Sequence, residues 1–149
     1  MTKPFLEIKG LTVAYGENVI MRDIDFAVNE QDVFIIMGGS GCGKSTLLTV
    51  LTGLKEPVAG TETFDGNPFW GNGATKADRD ALMRKAGILY QSGALWSSMT
   101  LAENVAMPLE QYTNFSPAEI KDLVALKLDL VGLGGFQDYY PAEISGGMK

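Results

Sequence analysis

The chain contains no histidine and a single cysteine, Cys42, among its 149 residues. An internal disulfide is therefore impossible, and a Cys/His metal site lacks its donors. One unpaired thiol suits a reducing compartment. No apolar stretch approaches the roughly 20 residues that cross a bilayer, and the N-terminus has no signal-peptide core. Basic residues are also scarce, 12 Lys and Arg against 18 Asp and Glu, for a net charge of -6. A general nucleic-acid binder normally presents a basic surface, so no nucleic-acid partner is expected. Local phosphate binding stays open, because one lysine and a row of backbone N–H groups can hold an anion whatever the net charge. These absences describe a cytoplasmic protein, or one that reaches a membrane only through a partner. At 46% apolar and 20% charged residues, the chain can build a core, and its length suits about one domain.

Leu6 and Ile8 alternate, then Leu11, Val13 and Tyr15, with the phase switching at Gly10. That pattern predicts a strand carrying a bulge at the glycine. Ile24, Phe26 and Val28 alternate against polar neighbours and predict a second strand, joined to the first as an antiparallel ribbon through Gly16–Asn18. Val33 to Met37 is a continuous apolar run, as expected of a strand buried on both faces of a parallel sheet. Lys44 to Thr52 predicts a short helix stopped at Gly53. A further strand is expected over Thr61–Phe64, closed by a turn at Asp65-Gly66-Asn67-Pro68, with loop from Trp70 to Thr75. A helix over Lys76–Lys85 and a short strand over Gly87–Tyr90 follow. Ser116-Pro117-Ala118-Glu119 is a capping box, opening a helix whose face is Ile120, Leu123, Val124, Leu128 and Val131 and whose stop is Gly132.

Gly38-Gly39-Ser40-Gly41-Cys42-Gly43-Lys44-Ser45-Thr46 satisfies the phosphate-loop pattern G-x-x-x-x-G-K-[ST]. Its glycines let successive N–H groups turn inward onto phosphate oxygens. Lys44 reaches the β- and γ-phosphates, the Ser45 hydroxyl ligates Mg²⁺, and the helix from Lys44 adds its positive end. An apolar run before the loop and a helix after it are the setting that confirms such a motif. Cys42 reads as a small loop residue, close enough to phosphate for its alkylation to block binding.

Later residues narrow the class. Glu143-Ile144-Ser145-Gly146-Gly147-Met148 resembles the L-S-G-G-Q signature of ABC transporter ATP-binding subunits, with Ile144 in place of the usual Leu. Leu89-Tyr90-Gln91-Ser92-Gly93-Ala94-Leu95 and Thr100-Leu101-Ala102-Glu103-Asn104-Val105 resemble the same family's Q-loop region, and the resemblance extends over the whole chain. Q-S-G-A-L and S-G-G-M are most similar to the MlaF-like, phospholipid-trafficking subgroup. The resemblance implies an α/β fold: a P-loop NTPase core of the ABC type, an N-terminal antiparallel ribbon and a helical subdomain. It implies one incomplete cassette, with the nucleotide-binding core over 1–91 and the helical subdomain over 92–149. By the same resemblance Tyr15 stacks on adenine, and Gln91 touches Mg²⁺ and the attacking water. Ser145, Gly146 and Gly147 address ATP held by a second copy of the subunit, a homodimer. The partners implied are membrane permease subunits, with Leu95, Trp96, Met99 and Leu101 as the docking surface on the cytoplasmic face of a bacterial membrane.

Two family elements are missing from these residues. No apolar run ends in the Asp-Glu pair of a Walker B strand, and there is no switch histidine. ATP binding without hydrolysis is the expectation, together with exposed backbone along Val33–Met37, whose sheet neighbour that strand would be. Two other classes compete. An ABC-type ATPase that clamps DNA or other proteins and transports nothing would usually carry a long coiled-coil or DNA-facing basic insertion, and neither is found. A small P-loop kinase, with Lys76–Lys85 as part of a lid, leaves Gln91 and Ser145–Gly147 unexplained.

Overall fold

The computed structural model describes residues 3–71, 73–91 and 93–149. They form two compact units, Met1–Ile88 and Leu89–Lys149.

The first unit is built on a four-stranded antiparallel sheet of order β2-β1-β3-β4, from β1 (Leu6–Tyr15), β2 (Asn18–Val28), β3 (Ala59–Phe64) and β4 (Asn67–Trp70). The expected ribbon is present: Leu6 pairs Val28 at one end and Tyr15 pairs Asn18 at the other. The register slips between Ile8 and Leu11, where Gly10 has φ +57° and donates its N–H to Asp25 Oδ1 at 2.9 Å. A carboxylate thus occupies the gap that the bulge opens in the ladder. Helix α1 (Lys44–Leu51) lays Leu47 and Val50 against Ile8, Leu11, Val13, Phe69 and Trp70. Each fully buried apolar side chain of this kind is worth about 1.5–3 kcal/mol. Trp70 Nε1 donates to Val50 O at 2.9 Å, so the sheet grips the helix through a directed bond as well. Helix α2 (Lys76–Met83) opens with a Thr75–Asp78 capping box.

β4 lies where the sequence predicted turn and loop. Asp65 (φ +48°) and Gly66 (φ +70°) form a two-residue turn with both central φ angles positive, the geometry that reverses a chain into a hairpin. Phe64 accordingly pairs Asn67, and Pro68 is tolerated because β4 is an edge strand. Two expected strands are not formed. Val33–Met37 is irregular, with Val33 89% and Met37 86% exposed, and Phe34 stacks on Phe26 at 4.9 Å. A strand buried on both faces needs a ladder partner on each side, and no described strand pairs with this run. Gly87–Tyr90 is irregular for the same reason.

The second unit packs α3 (Leu101–Tyr112) against α4 (Pro117–Leu130), with one-turn 3₁₀ segments at Pro141–Glu143 and Gly146–Met148. Leu101, Ile120, Val124, Leu128 and Ile144 are its core. The capping box expected at Ser116 is formed: Glu119 Oε2 accepts from Ser116 N at 2.8 Å and from Ser116 Oγ at 2.7 Å. Val131, expected on the buried face, is exposed, because it is the C-cap and the chain leaves the helix there. No helix among the described residues is long and apolar enough to cross a membrane.

Candidate functional site

The phosphate loop is shaped by the sheet beside it. Gly43 caps α1 at φ +98°, and a Cβ there would lie 2.6 Å from Met21 Cε and 2.8 Å from Ile20 Cγ2 of β2. The close approach of loop to strand therefore requires glycine. A Cβ on Gly38 would meet Cys42 Sγ at 2.6 Å, so a side chain here would require the Cys42 thiol to turn away. Lys44 Nζ donates to Gly38 O and Gly39 O, both at 2.7 Å, and lies 3.7 Å from Cys42 Sγ. The ammonium is thereby held over the loop that it follows. Ser45 and Thr46 are the next residues of the helix, Ser45 exposed. A tight glycine cradle, a helix N-terminus and a poised ammonium fit a polyphosphate, with the Ser45 hydroxyl available to a magnesium ion. No group of three or more His, Cys, Asp or Glu among the described residues could hold a metal by itself.

Tyr15 is exposed at the end of β1, paired to Asn18, the first residue of β2. Ile20 and Met21 follow two and three residues later, so the strand that touches Gly43 starts beside Tyr15. At the usual rise the separation along β2 is about 7–10 Å. The Lys55 ammonium lies 4.1 Å from the Tyr15 ring centre. That residue had no motif to mark it; its signal is a lysine just past the helix stop.

Gln91 and the signature residues belong to the second unit. Gln91 and Gly146 line one pocket of about 600 Å³, together with Tyr90, Gly93 and Lys149. Ser145 precedes the Gly146–Met148 turn without capping it, which leaves its hydroxyl uncommitted to the helix end. Ser92 lies outside the described residues. After Gln91 the chain is held by Asn104. Its side-chain carbonyl accepts from Trp96 N at 2.8 Å, and its amide donates to Trp96 O, Met99 O and Thr100 O at 3.1, 3.2 and 2.9 Å. The sequence expectation of a four-residue apolar docking surface needs correction here. Leu101 is core and Leu95 packs on that core, because both face α4 and the signature segment; Trp96 stays 59% exposed. Met99 lines the groove between α3 and α4.

The ABC transporter family profile matches residues 21–149. The chain belongs to the ABC transporter family. It is 40% identical over 144 residues to the probable ribonucleotide transport ATP-binding protein mkl of Mycobacterium leprae, covering 97% of this chain and 41% of that protein. It is 35% identical over 150 residues to the intermembrane phospholipid transport system ATP-binding protein MlaF of Haemophilus influenzae, covering 99% of this chain and 55% of the relative. The chain thus spans about two-fifths to just over half of these relatives. Among solved structures it is similar to the ATP-binding cassette MJ0796 in a dimeric post-hydrolysis state bound to ADP and Pi, with TM-score 0.83 and 26% identity. That match covers 96% of this chain and 64% of the other.

Proposed function

We propose that this chain is the nucleotide-binding part of the ATP-binding subunit of an ABC transporter, and that it holds MgATP on the loop Gly38–Thr46. The observation that carries the reading is the glycine cradle pressed on β2 with the Lys44 ammonium held over it. In this reading the loop N–H groups and Lys44 bind the phosphates, and Tyr15 stacks on the base. The Ser45 hydroxyl and Gln91 hold Mg²⁺, which neutralises charge on the terminal phosphates. Ser145, Gly146 and Gly147 face the nucleotide of a second copy, and Trp96 with Met99 receives a permease at the cytoplasmic face of a bacterial membrane. The similarity to MlaF, together with Q-S-G-A-L and S-G-G-M, supports phospholipid or a related lipid as the cargo class. ATPase activity belongs to the whole subunit, and these residues alone bind ATP without turning it over.

The test is a titration of fluorescent ATP with Mg²⁺ into wild type and Lys44→Ala. Binding should weaken at least tenfold in the variant, and phosphate release should not exceed the variant's background. Equal affinity in the two proteins would refute the assignment.

A further inference from the structure

Glu62 carries a carboxyl at a place in the sheet that is otherwise apolar. It lies on β3 opposite Ile8 of β1 and Trp70 of β4, and opposed residues in a ladder project to the same face. That face carries the cluster of Ile8, Leu47, Val50 and Trp70. The side chain is fully buried, and among the described residues neither carboxyl oxygen has a hydrogen-bond partner. An unpartnered buried carboxylate costs far more than a neutral carboxylic acid in the same place.

The charged groups of β1, α1 and α2 are engaged or exposed elsewhere, and Arg22, Asp23 and Asp25 of β2 are exposed. On β1, Glu7 and Lys9 alternate to the other face and pair with each other at 2.8 Å. On α1, the Lys44 ammonium is bonded to the loop carbonyls. On α2, Arg79 stacks 4.2 Å from the Trp70 ring centre and donates to Phe69 O, while Asp78 is bound in the Thr75 box and Lys76 and Asp80 are exposed. β4 presents Trp70 and no titratable group. Burial alone pushes the Glu62 carboxyl up to about 8.

We propose that Glu62 is a proton-operated gate on the phosphate loop. With the carboxyl protonated, α1 packs on the sheet and holds the loop in its binding shape. When the proton leaves to solvent, an uncompensated charge sits beside Trp70, whose indole bonds Val50 O of α1. Water must enter to solvate that charge, and the helix that begins at the loop loosens from the sheet. The nucleotide arm of this inference rests on the proposed function; the stability arm does not.

The two arms have different pH windows. The folded chain keeps a proton that the unfolded chain, with its ordinary value of 4.5, releases. Stability from this group is therefore full below about 4.5, falls up to tenfold in the folded-to-unfolded ratio per pH unit, and levels off above about 8. Within the folded state the carboxyl titrates near 8, so nucleotide affinity falls as pH rises from 7 to 9.

The experiment measures urea unfolding at pH 5.5–7.5 and fluorescent MgATP affinity at pH 7–9, for wild type, Glu62→Gln and Glu62→Leu. Relative to Glu62→Gln, wild type should lose about a hundredfold in folded-to-unfolded ratio across the first window. Across the second window its affinity alone should weaken several-fold. Parallel stability profiles overturn the gate, and so does an affinity that stays flat in wild type while stability falls. If neither variant folds, the infrared carbonyl band of wild type decides. A protonated carboxyl persisting at pH 7 and bleaching by pH 9.5 supports the gate, and its absence overturns it. Failure of every folded protein to bind MgATP at pH 7 refutes the proposed function and the gate on it. The stability slope still reports separately whether Glu62 keeps its proton.

Discussion

Replacing Gly43 by alanine adds one methyl group at the tightest point between the phosphate loop and the sheet. Two costs follow. An L-residue held at φ +98° is strained by about 1–2 kcal/mol. The new Cβ also stands 2.6 Å from Met21 Cε and 2.8 Å from Ile20 Cγ2. The methionine end can swing away, but the isoleucine branch sits next to the strand backbone and cannot, so overpacking adds about 1–3 kcal/mol. The entropy that alanine removes from the unfolded chain returns about 0.4–1 kcal/mol. A net loss of about 3 kcal/mol corresponds to a fall in Tm of about 6–12 °C for a chain of this size. Gly39→Ala is the control, since its Cβ would meet nothing within 4 Å and its backbone is unstrained; its Tm should stay within about 2 °C of wild type. The assay is thermal unfolding followed by circular dichroism, with and without MgATP. A Gly43→Ala protein melting with wild type and binding MgATP normally would refute the claim that β2 shapes the loop.

Asn104→Ala removes four hydrogen bonds from the segment after Gln91. It should lower stability by about 1–3 kcal/mol in urea, and the Trp96 amide should exchange faster while the amides of α4 do not. Trp96→Ala should change stability by less than about 0.5 kcal/mol, since the ring is mostly exposed. In the whole subunit it should abolish co-purification with the permease; an intact complex would reject the docking role. Bonds from the Ser116 hydroxyl and backbone hold the Glu119 carboxyl below its ordinary 4.5. The capping contribution is thus full at neutral pH and fades as pH falls below about 4.5 through the lowered value. Amide exchange at the start of α4 should quicken over that range in wild type and be less pH-dependent in Ser116→Ala.

Local chemistry was legible wherever the sequence held both halves of an interaction. The Gly10 bulge, the Gly16–Asn18 turn and the Ser116–Glu119 box depend on residues close in sequence, and each formed as expected. The hairpin into β4 is not legible because Asp65-Gly66-Asn67-Pro68 reads as a turn of four residues, whereas only Asp65 and Gly66 turn and Asn67 already pairs with Phe64. Pro68, which the sequence places in the turn, is acceptable on an edge strand. Val33–Met37 failed for the opposite reason: its composition fits a buried strand, but strand pairing is a property of two segments. The phosphate loop is recognisable by spacing alone. Its fit against Ile20 and Met21, and the position of Lys55 over Tyr15, depend on side chains that no motif marks.

On the proposed function, the bonds from Lys44 to Gly38 O and Gly39 O would make the loop a discriminator of ligand charge. An incoming molecule must draw the ammonium away from two carbonyl dipoles, each such bond to a charged group being worth about 1.5–3 kcal/mol net. A nucleoside offers nothing that competes, and a monophosphate offers little at the distance the lysine must span. A chain of phosphates can replace both partners at once. On the proposed function the lysine gives adenosine nothing and a triphosphate the most, and occupancy should climb from mono- to di- to triphosphate without any change in the contacts made to the base.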